Sequence, residues 1–119
     1  MRLILATAMM VVFANCFAYE AANEVLENCG IKQPQGLEDT LRRVHCSGYL
    51  TGVIDGVLMI QSARPQEAQF ICFPRGNISS EESTRVVTTW LERNPSSLRG
   101  SARVAVLQAF AAAYPCSAK

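Results

Sequence analysis

The sequence predicts a small all-α domain of four helices that is stabilised by disulfide bonds. Apolar residues recur at spacings of three and four along much of the chain, and no segment alternates with a period of two for long enough to indicate a strand. The chain has 119 residues, and once an N-terminal leader is set aside, residues 19–119 provide one modest core and four of the five cysteines, a combination typical of exported, disulfide-reinforced domains. No internal repeat is present, so a single domain is predicted.

Residues 1–18 have the organisation of a signal peptide. A short basic start is followed by an apolar run, and Cys16-Phe17-Ala18 places small residues at the two positions that a signal peptidase recognises. Cleavage is therefore predicted before Tyr19, which leaves residues 19–119 as the domain. Lipidation of Cys16 is disfavoured by the asparagine before it, and an uncleaved anchor would be short for a membrane span.

The charge of the mature chain argues against two classes of partner. Losing Arg2 from the 11 basic residues leaves ten, which balance the 10 acidic residues, so the formal charge is zero. Because no basic stripe or run is present, neither nucleic acid nor an anionic membrane surface is an expected partner. The single histidine and the absence of CxxC spacing also make zinc or c-type haem improbable, so no metal or cofactor is expected.

The first helix is predicted between Tyr19 and Asn28, where alanine and glutamate are frequent and the apolar residues lie on one face. Gly30 suits a helix C-terminus. Residues 32–36 form a turn-rich connector, and a long second helix follows from about Glu38 to Ser62.

Three glycines recur every fourth residue in the second helix, at Gly48, Gly52 and Gly56. Residues four apart share a helix face, so these glycines form a smooth stripe that another backbone can approach closely. A tight crossing with a helix of the same chain is the favoured interpretation, and a seam between two copies is the alternative. Asp55 is predicted to be half-buried and hydrogen-bonded for structural reasons. Charged residues interrupt the apolar run, which argues against a membrane span.

A capping box predicts the third helix. Ser79 is followed three residues later by Glu82, so the helix should begin there and continue to about Arg93. The segment before it, residues 66–78, is the most irregular of the chain. The inner face of the third helix is predicted to contain Val86, Val87, Trp90 and Leu91.

The fourth helix is predicted to follow Asn94-Pro95, with either Asn94 or Ser97 as its N-cap, and to reach about Tyr114. It has two apolar stripes, so we expect it to be the buried helix of the fold. The stripes are Leu98, Ala102, Val106, Ala109 and Ala113 on one side and Val104, Leu107 and Ala111 on the other.

The four cysteines of the mature chain predict two disulfides in an oxidising compartment. Chain order favours Cys29 with Cys46 and Cys72 with Cys116, although two other pairings remain possible on sequence alone.

A catalytic site is not predicted. His45 is adjacent to Cys46, but neighbouring residues on a helix point about 100° apart and do not face each other. No phosphate-binding loop, serine triad or distinctive carboxylate pair accompanies them, so the protein is not expected to be an enzyme.

Four short motifs follow one another between residues 38 and 116. They are Cys46-x-x-Tyr49-Leu50-x-Gly52-x-x-Asp55-Gly56, Cys72-Phe73-Pro74, Trp90-Leu91-x-x-Asn94-Pro95 and Ala112-x-Tyr114-Pro115-Cys116. In this order and spacing they resemble the Rap/Tai family of immunity proteins against type VI secretion amidase effectors. The resemblance implies a periplasmic, all-helical, disulfide-bonded protein, often dimeric, that binds a peptidoglycan amidase and blocks its active-site cleft. Asn94 and Tyr114 stand where the family often has histidine and phenylalanine, and this departure leaves the identity of the effector open.

The role of an inhibitor requires a rigid frame and projecting contacts rather than catalytic groups. Two exposed segments, the loop at Arg75-Gly76-Asn77 and the turn from Glu92 to Arg99, offer polar and arginine contacts of the kind that anchor interfaces. The predicted partner-binding residues are Arg75, Asn77, Glu92, Arg93, Asn94, Ser96 and Arg99. Two alternatives are a small periplasmic stress chaperone that exposes apolar surface on a pH change, which a single histidine disfavours, and an envelope-assembly protein without a toxin partner.

Overall fold

Four α-helices form the framework of residues 19–75 and 78–117, which the computed structural model describes. They are α1 (Ala22–Cys29), α2 (Gly36–Ser62), α3 (Ser80–Arg93) and α4 (Ala102–Ala113), with short 3₁₀ turns at Gln66–Ala68 and Pro95–Ser97. No strand occurs in the described residues, where the only β-type pairing is an isolated bridge. The predicted all-α, four-helix class is confirmed. The predicted signal peptide, residues 1–18, lies outside the described residues.

The segment that leads into α1 and the segment that leads into α4 are held together by backbone hydrogen bonds. The N–H of Ala22 donates to Gly100 O at 3.0 Å, and that of Ala102 donates to Glu20 O at 2.9 Å. These long-range bonds explain two corrections. The first helix begins at Ala22 rather than Tyr19, and the fourth begins at Ala102 rather than after Asn94 or Ser97. Ala21 and Ser101, the residues directly before the two helices, are extended and pair with each other, and Pro95–Ser97 forms a separate 3₁₀ turn.

Helix α2 is the longest element, with 27 residues and a length of about 40 Å. Its inner face carries the buried residues Cys46, Leu50, Ile54, Val57 and Gln61.

The glycine stripe lies away from that inner face. A Cβ added at Gly48, Gly52 or Gly56 would meet nothing within 4 Å, so the favoured interpretation of an intramolecular helix crossing is wrong. Asp55 is exposed rather than half-buried, because it too lies on the side of α2 opposite the core.

Helix α3 begins as its capping box predicts. The side chain of Ser79 accepts a hydrogen bond from the N–H of Glu82 at 3.1 Å, and the helix ends at Arg93. Val87 and Leu91 are fully buried, and the other two residues of the predicted inner face are half-buried.

Helix α4 is buried on one side only. Ala102, Ala105, Val106, Ala109 and Phe110 face the core, whereas Val104 and Ala113 are exposed. The expectation that both apolar stripes are buried is therefore wrong, because the other three helices cover a single face of α4.

Two disulfides complete the core, and their pairing is the one that chain order favours. Cys29 is bonded to Cys46, which ties α1 to α2, and Cys72 is bonded to Cys116, which ties the irregular segment to the end of the chain. Within the described residues, none of the helices combines the length and hydropathy that crossing a membrane requires.

Candidate functional site

The described residues offer no catalytic constellation. Cys46 is held in a disulfide, so no thiolate is available beside His45, whose ring packs against that of Tyr19 with centroids 4.5 Å apart. No group of three or more histidine, cysteine, aspartate or glutamate side chains in residues 19–75 and 78–117 is arranged to hold a metal ion.

The first predicted contact segment projects from a well-anchored stretch of loop. Cys72 is bonded covalently to Cys116, and its N–H donates to Tyr114 O at 2.9 Å. The ring of Phe73 packs edge-on against that of Phe110, with centroids 5.5 Å apart. Arg75 follows directly and is exposed, whereas Asn77 lies outside the described residues.

The second predicted contact segment, the turn from Glu92 to Arg99, is rigidly held at the other end of α3. The side-chain amide of Asn94 donates to Trp90 O at 2.7 Å, and the Ser97 hydroxyl donates to Asn94 O at 2.7 Å. The N–H of Asn23 in α1 donates to Leu98 O at 2.9 Å. Asn94 is half-buried, and the other predicted contacts of this turn, Glu92, Arg93, Ser96 and Arg99, are exposed.

The two contact segments do not form one patch. Helix α3 has 14 residues, which corresponds to about 20 Å, and it separates the loop that carries Arg75 from the turn after Arg93. At the Arg75 end, the Tyr114 hydroxyl donates to Glu82 Oε1 at 2.8 Å. Burial, together with this hydrogen bond and the negative charge of Glu82, raises the pKa of Tyr114 to about 12.

An exposed apolar surface that the sequence analysis missed lies along α2. Leu37, Leu41, Val44 and Met59 are 73%, 58%, 63% and 73% exposed, although large apolar side chains normally bury more of their surface. Their spacing places them on one helical face. We call this surface the α2 outer face; it consists of Leu37, Leu41, Val44, Gly48, Gly52, Asp55 and Met59. The apolar periodicity of α2 does not distinguish this face from the buried one, because both faces carry large apolar residues.

A groove runs between the first half of α2 and α3. It encloses about 560 Å³, and the Ser47 and Ser80 hydroxyls, 2.6 Å apart, hydrogen-bond across it where the two helices approach. We call it the α2–α3 groove. Its α2 wall consists of Thr40, Arg43, Val44 and Ser47, its α3 wall of Ser80, Glu81, Thr84, Arg85, Thr88, Thr89 and Glu92, and its base of residues 29–32 with Cys46.

Comparison with known proteins identifies a family. A family model described as Rap1a immunity proteins matches residues 21–116, a range that includes all four helices and both disulfides. No curated protein matches the chain, and neither does any solved structure.

Proposed function

Because the chain belongs to the Rap1a immunity protein family, we propose that it is a periplasmic immunity protein that binds and inhibits a peptidoglycan amidase effector of a type VI secretion system. The family match over residues 21–116 is the observation that carries this proposal. The resemblance of its motifs to the Rap/Tai proteins supports an amidase as the target. The leader-like residues 1–18 and the two disulfides support export to an oxidising compartment.

The frame of the molecule supports inhibition by binding. A surface that is already ordered loses less conformational entropy on association, so preorganised contacts bind more tightly. The disulfide at Cys72 anchors the stretch that leads to Arg75, and hydrogen bonds hold the turn from Glu92 to Arg99. We propose that Arg75 and Asn77 at one end of α3, and Glu92, Arg93, Asn94, Ser96 and Arg99 at the other, contact the effector.

Replacing Arg93 or Arg75 with alanine should weaken inhibition. Arginines at the centre of an interface commonly contribute 2 kcal/mol or more, so we expect an affinity loss of about 30-fold at whichever end of α3 is central. Titration calorimetry against the amidase, together with a peptidoglycan-hydrolysis assay, would measure it. Arg64→Ala, which alters an exposed arginine at the end of α2, is the matched control. Unchanged inhibition by both test variants, with an unchanged helical circular dichroism signal, would place the interface elsewhere.

We also propose that the protein forms a dimer through the α2 outer face. Gly48 lies near the middle of α2, so two copies crossing there antiparallel would overlap along most of the helix. A two-fold axis at Gly48 would place Val44 of each copy over Gly52 of the other and Leu37 against Met59, which makes the surface self-complementary.

The variant Gly48→Leu should prevent dimerisation without disturbing the fold of the monomer. Nothing lies within 4 Å of a Cβ at this position, so leucine fits the monomer and should stabilise its helix by about 0.5–1 kcal/mol. Across a close helix crossing, however, the added side chain would push the copies apart. We therefore expect a monomer by sedimentation equilibrium at concentrations where the unmodified protein is dimeric. Gln108→Leu, at an exposed position of α4, should leave the dimer intact.

One alternative function is favoured by the same surface. A stress chaperone requires exposed apolar surface, and the α2 outer face provides it. A protein that stays monomeric at all concentrations, binds no amidase and suppresses aggregation of an acid-unfolded client would support this alternative over immunity.

A further inference from the structure

We propose that the α2–α3 groove receives a segment of the effector that carries an acidic side chain. This inference rests on the proposed function, and it adds a contact surface distinct from the loop and turn that the sequence pointed to. In this arrangement the immunity protein provides the concave surface, and the effector provides the segment that inserts into it.

The dimensions of the groove suit a short peptide. From the contact between Ser47 and Ser80, its walls follow α2 back to Thr40 and α3 forward to Glu92, lengths of about 10 Å and 18 Å. An extended chain advances about 3.3 Å per residue, so three to five residues fit along it. The volume of about 560 Å³ lies within the 300–1,000 Å³ that binding pockets usually enclose.

The charges of the groove select an anionic side chain. Three cationic residues line it, Lys32 from the base, Arg43 from the α2 wall and Arg85 from the α3 wall. Within the described residues the one ion pair is Arg42 with Glu38, so none of the three cations lies within 4.0 Å of a described carboxylate oxygen. A carboxylate placed between the walls would gain charge-assisted hydrogen bonds from guanidinium groups on both sides.

The hydroxyl groups of the walls suit a peptide backbone. Thr40 and Thr88 already donate their hydroxyl hydrogens to carbonyl oxygens of their own helices, at 2.8 and 2.9 Å. Their oxygens therefore remain available as acceptors, which match the N–H groups of an inserted peptide. Glu81 and Glu92 lie toward opposite ends of the α3 wall, and Arg85 lies between them.

Continuity with the proposed contact turn identifies the effector, rather than a second copy of this chain, as the occupant. Glu92 belongs both to the groove and to the turn from Glu92 to Arg99, so a protein bound to that turn meets the open end of the groove. A second copy seated across Gly48 covers the other side of α2, since only Val44 belongs both to the α2 outer face and to the groove.

The test uses two double variants that remove the same charge. Arg43→Ala with Arg85→Ala removes two groove cations, and Arg64→Ala with Arg103→Ala removes two exposed arginines outside the groove. With the peptidoglycan amidase as probe, we expect the groove variant to raise Kd at least 30-fold and the control to change it less than threefold. Lys32→Ala, in the base of the groove, should raise Kd about tenfold without altering any helix.

Each outcome separates the two proposals. If the unmodified protein binds the amidase but the groove variants bind equally well, the groove proposal is overturned and the proposed function stands. Equal weakening by the groove and control variants also overturns it, because the effect would then follow net charge alone. If the unmodified protein binds no secreted peptidoglycan amidase, the proposed function fails and the groove proposal fails with it.

Discussion

Replacing both Cys72 and Cys116 with serine is expected to lower the free energy of unfolding by about 4 kcal/mol. This disulfide joins residues 44 apart in sequence, and the chain-entropy model gives about that value for the loop it closes in the unfolded chain. The bond between Cys29 and Cys46 spans 17 residues, so its removal should cost about 3 kcal/mol. Since single domains are commonly stable by only 5–15 kcal/mol, the first variant should lose much of its stability.

Urea unfolding of the oxidised protein and of each double-serine variant would measure these differences. The structure adds a reason why removing the Cys72–Cys116 bond should cost more stability than removing the Cys29–Cys46 bond. Cys72 belongs to a segment without α-helix, whose attachment to the end of α4 depends on this bond and on the hydrogen bond from its N–H to Tyr114 O. Cys29 and Cys46 lie within helices that pack together independently. A larger loss on removing the Cys29–Cys46 bond would show that native packing outweighs loop entropy here.

Features encoded by neighbouring residues were predicted accurately from the sequence. The capping box at Ser79 and Glu82 determines where α3 begins, because the serine oxygen and the N–H it accepts from are three residues apart. The end of α2 at Ser62 also follows from local chemistry, since Arg64-Pro65 comes directly after it. The number of helices follows from the periodicity of the apolar residues, and chain order favoured the cysteine pairing that is observed, although it left two other pairings open.

Features that depend on distant residues were not predictable in the same way. Residues 98–101 look compatible with a helix, yet they form a turn that ends in the extended Ser101, because the segment before α1 pairs with them. Asp55 was predicted to be half-buried because α2 is apolar on both sides. Its inner residues, such as Leu50, and its outer residues, such as Leu41, are chemically equivalent in the sequence, and only the positions of α1, α3 and α4 determine which side is covered.

The candidate binding surfaces differ in the same way, according to whether neighbouring or distant residues form them. The exposed turn from Glu92 to Arg99 could be identified because asparagine, proline and serine mark it locally. The α2–α3 groove could not, because Arg43 and Arg85 lie far apart in sequence and share a groove only through the packing of two helices.

Gln61 contributes a network of hydrogen bonds that no sequence pattern indicated. Its side chain is 5% exposed. Its Nε2 donates to Ile71 O at 2.9 Å, and its Oε1 accepts from the N–H groups of Phe70 and Ile71, each at 3.0 Å. It therefore satisfies both backbone polar groups of Ile71, which is itself buried, and attaches the irregular segment to α2.

Gln61→Leu is expected to lower the free energy of unfolding by about 2–6 kcal/mol. The substitution keeps the site apolar and similar in size, but it leaves the buried N–H and C=O of Ile71 without partners, each at a cost of about 1–3 kcal/mol. Denaturant unfolding of the oxidised protein would measure the loss. Stability equal to that of the unmodified protein would mean that water replaces the side chain at these groups.

Gln61→Glu provides the matched control, because it changes one group of the same side chain. An ionised carboxylate still accepts from both N–H groups, but it places a negative oxygen against Ile71 O, whereas the protonated carboxyl can donate there. Burial and this repulsion should raise the folded-state pKa above the ordinary value of about 4.3. The stabilising contribution of a group with a raised pKa is present below its unfolded pKa and is lost as the pH rises through its folded pKa. The variant should therefore approach the unmodified protein in stability near pH 4 and fall below it at pH 7, whereas Gln61→Leu should show the same deficit at both pH values.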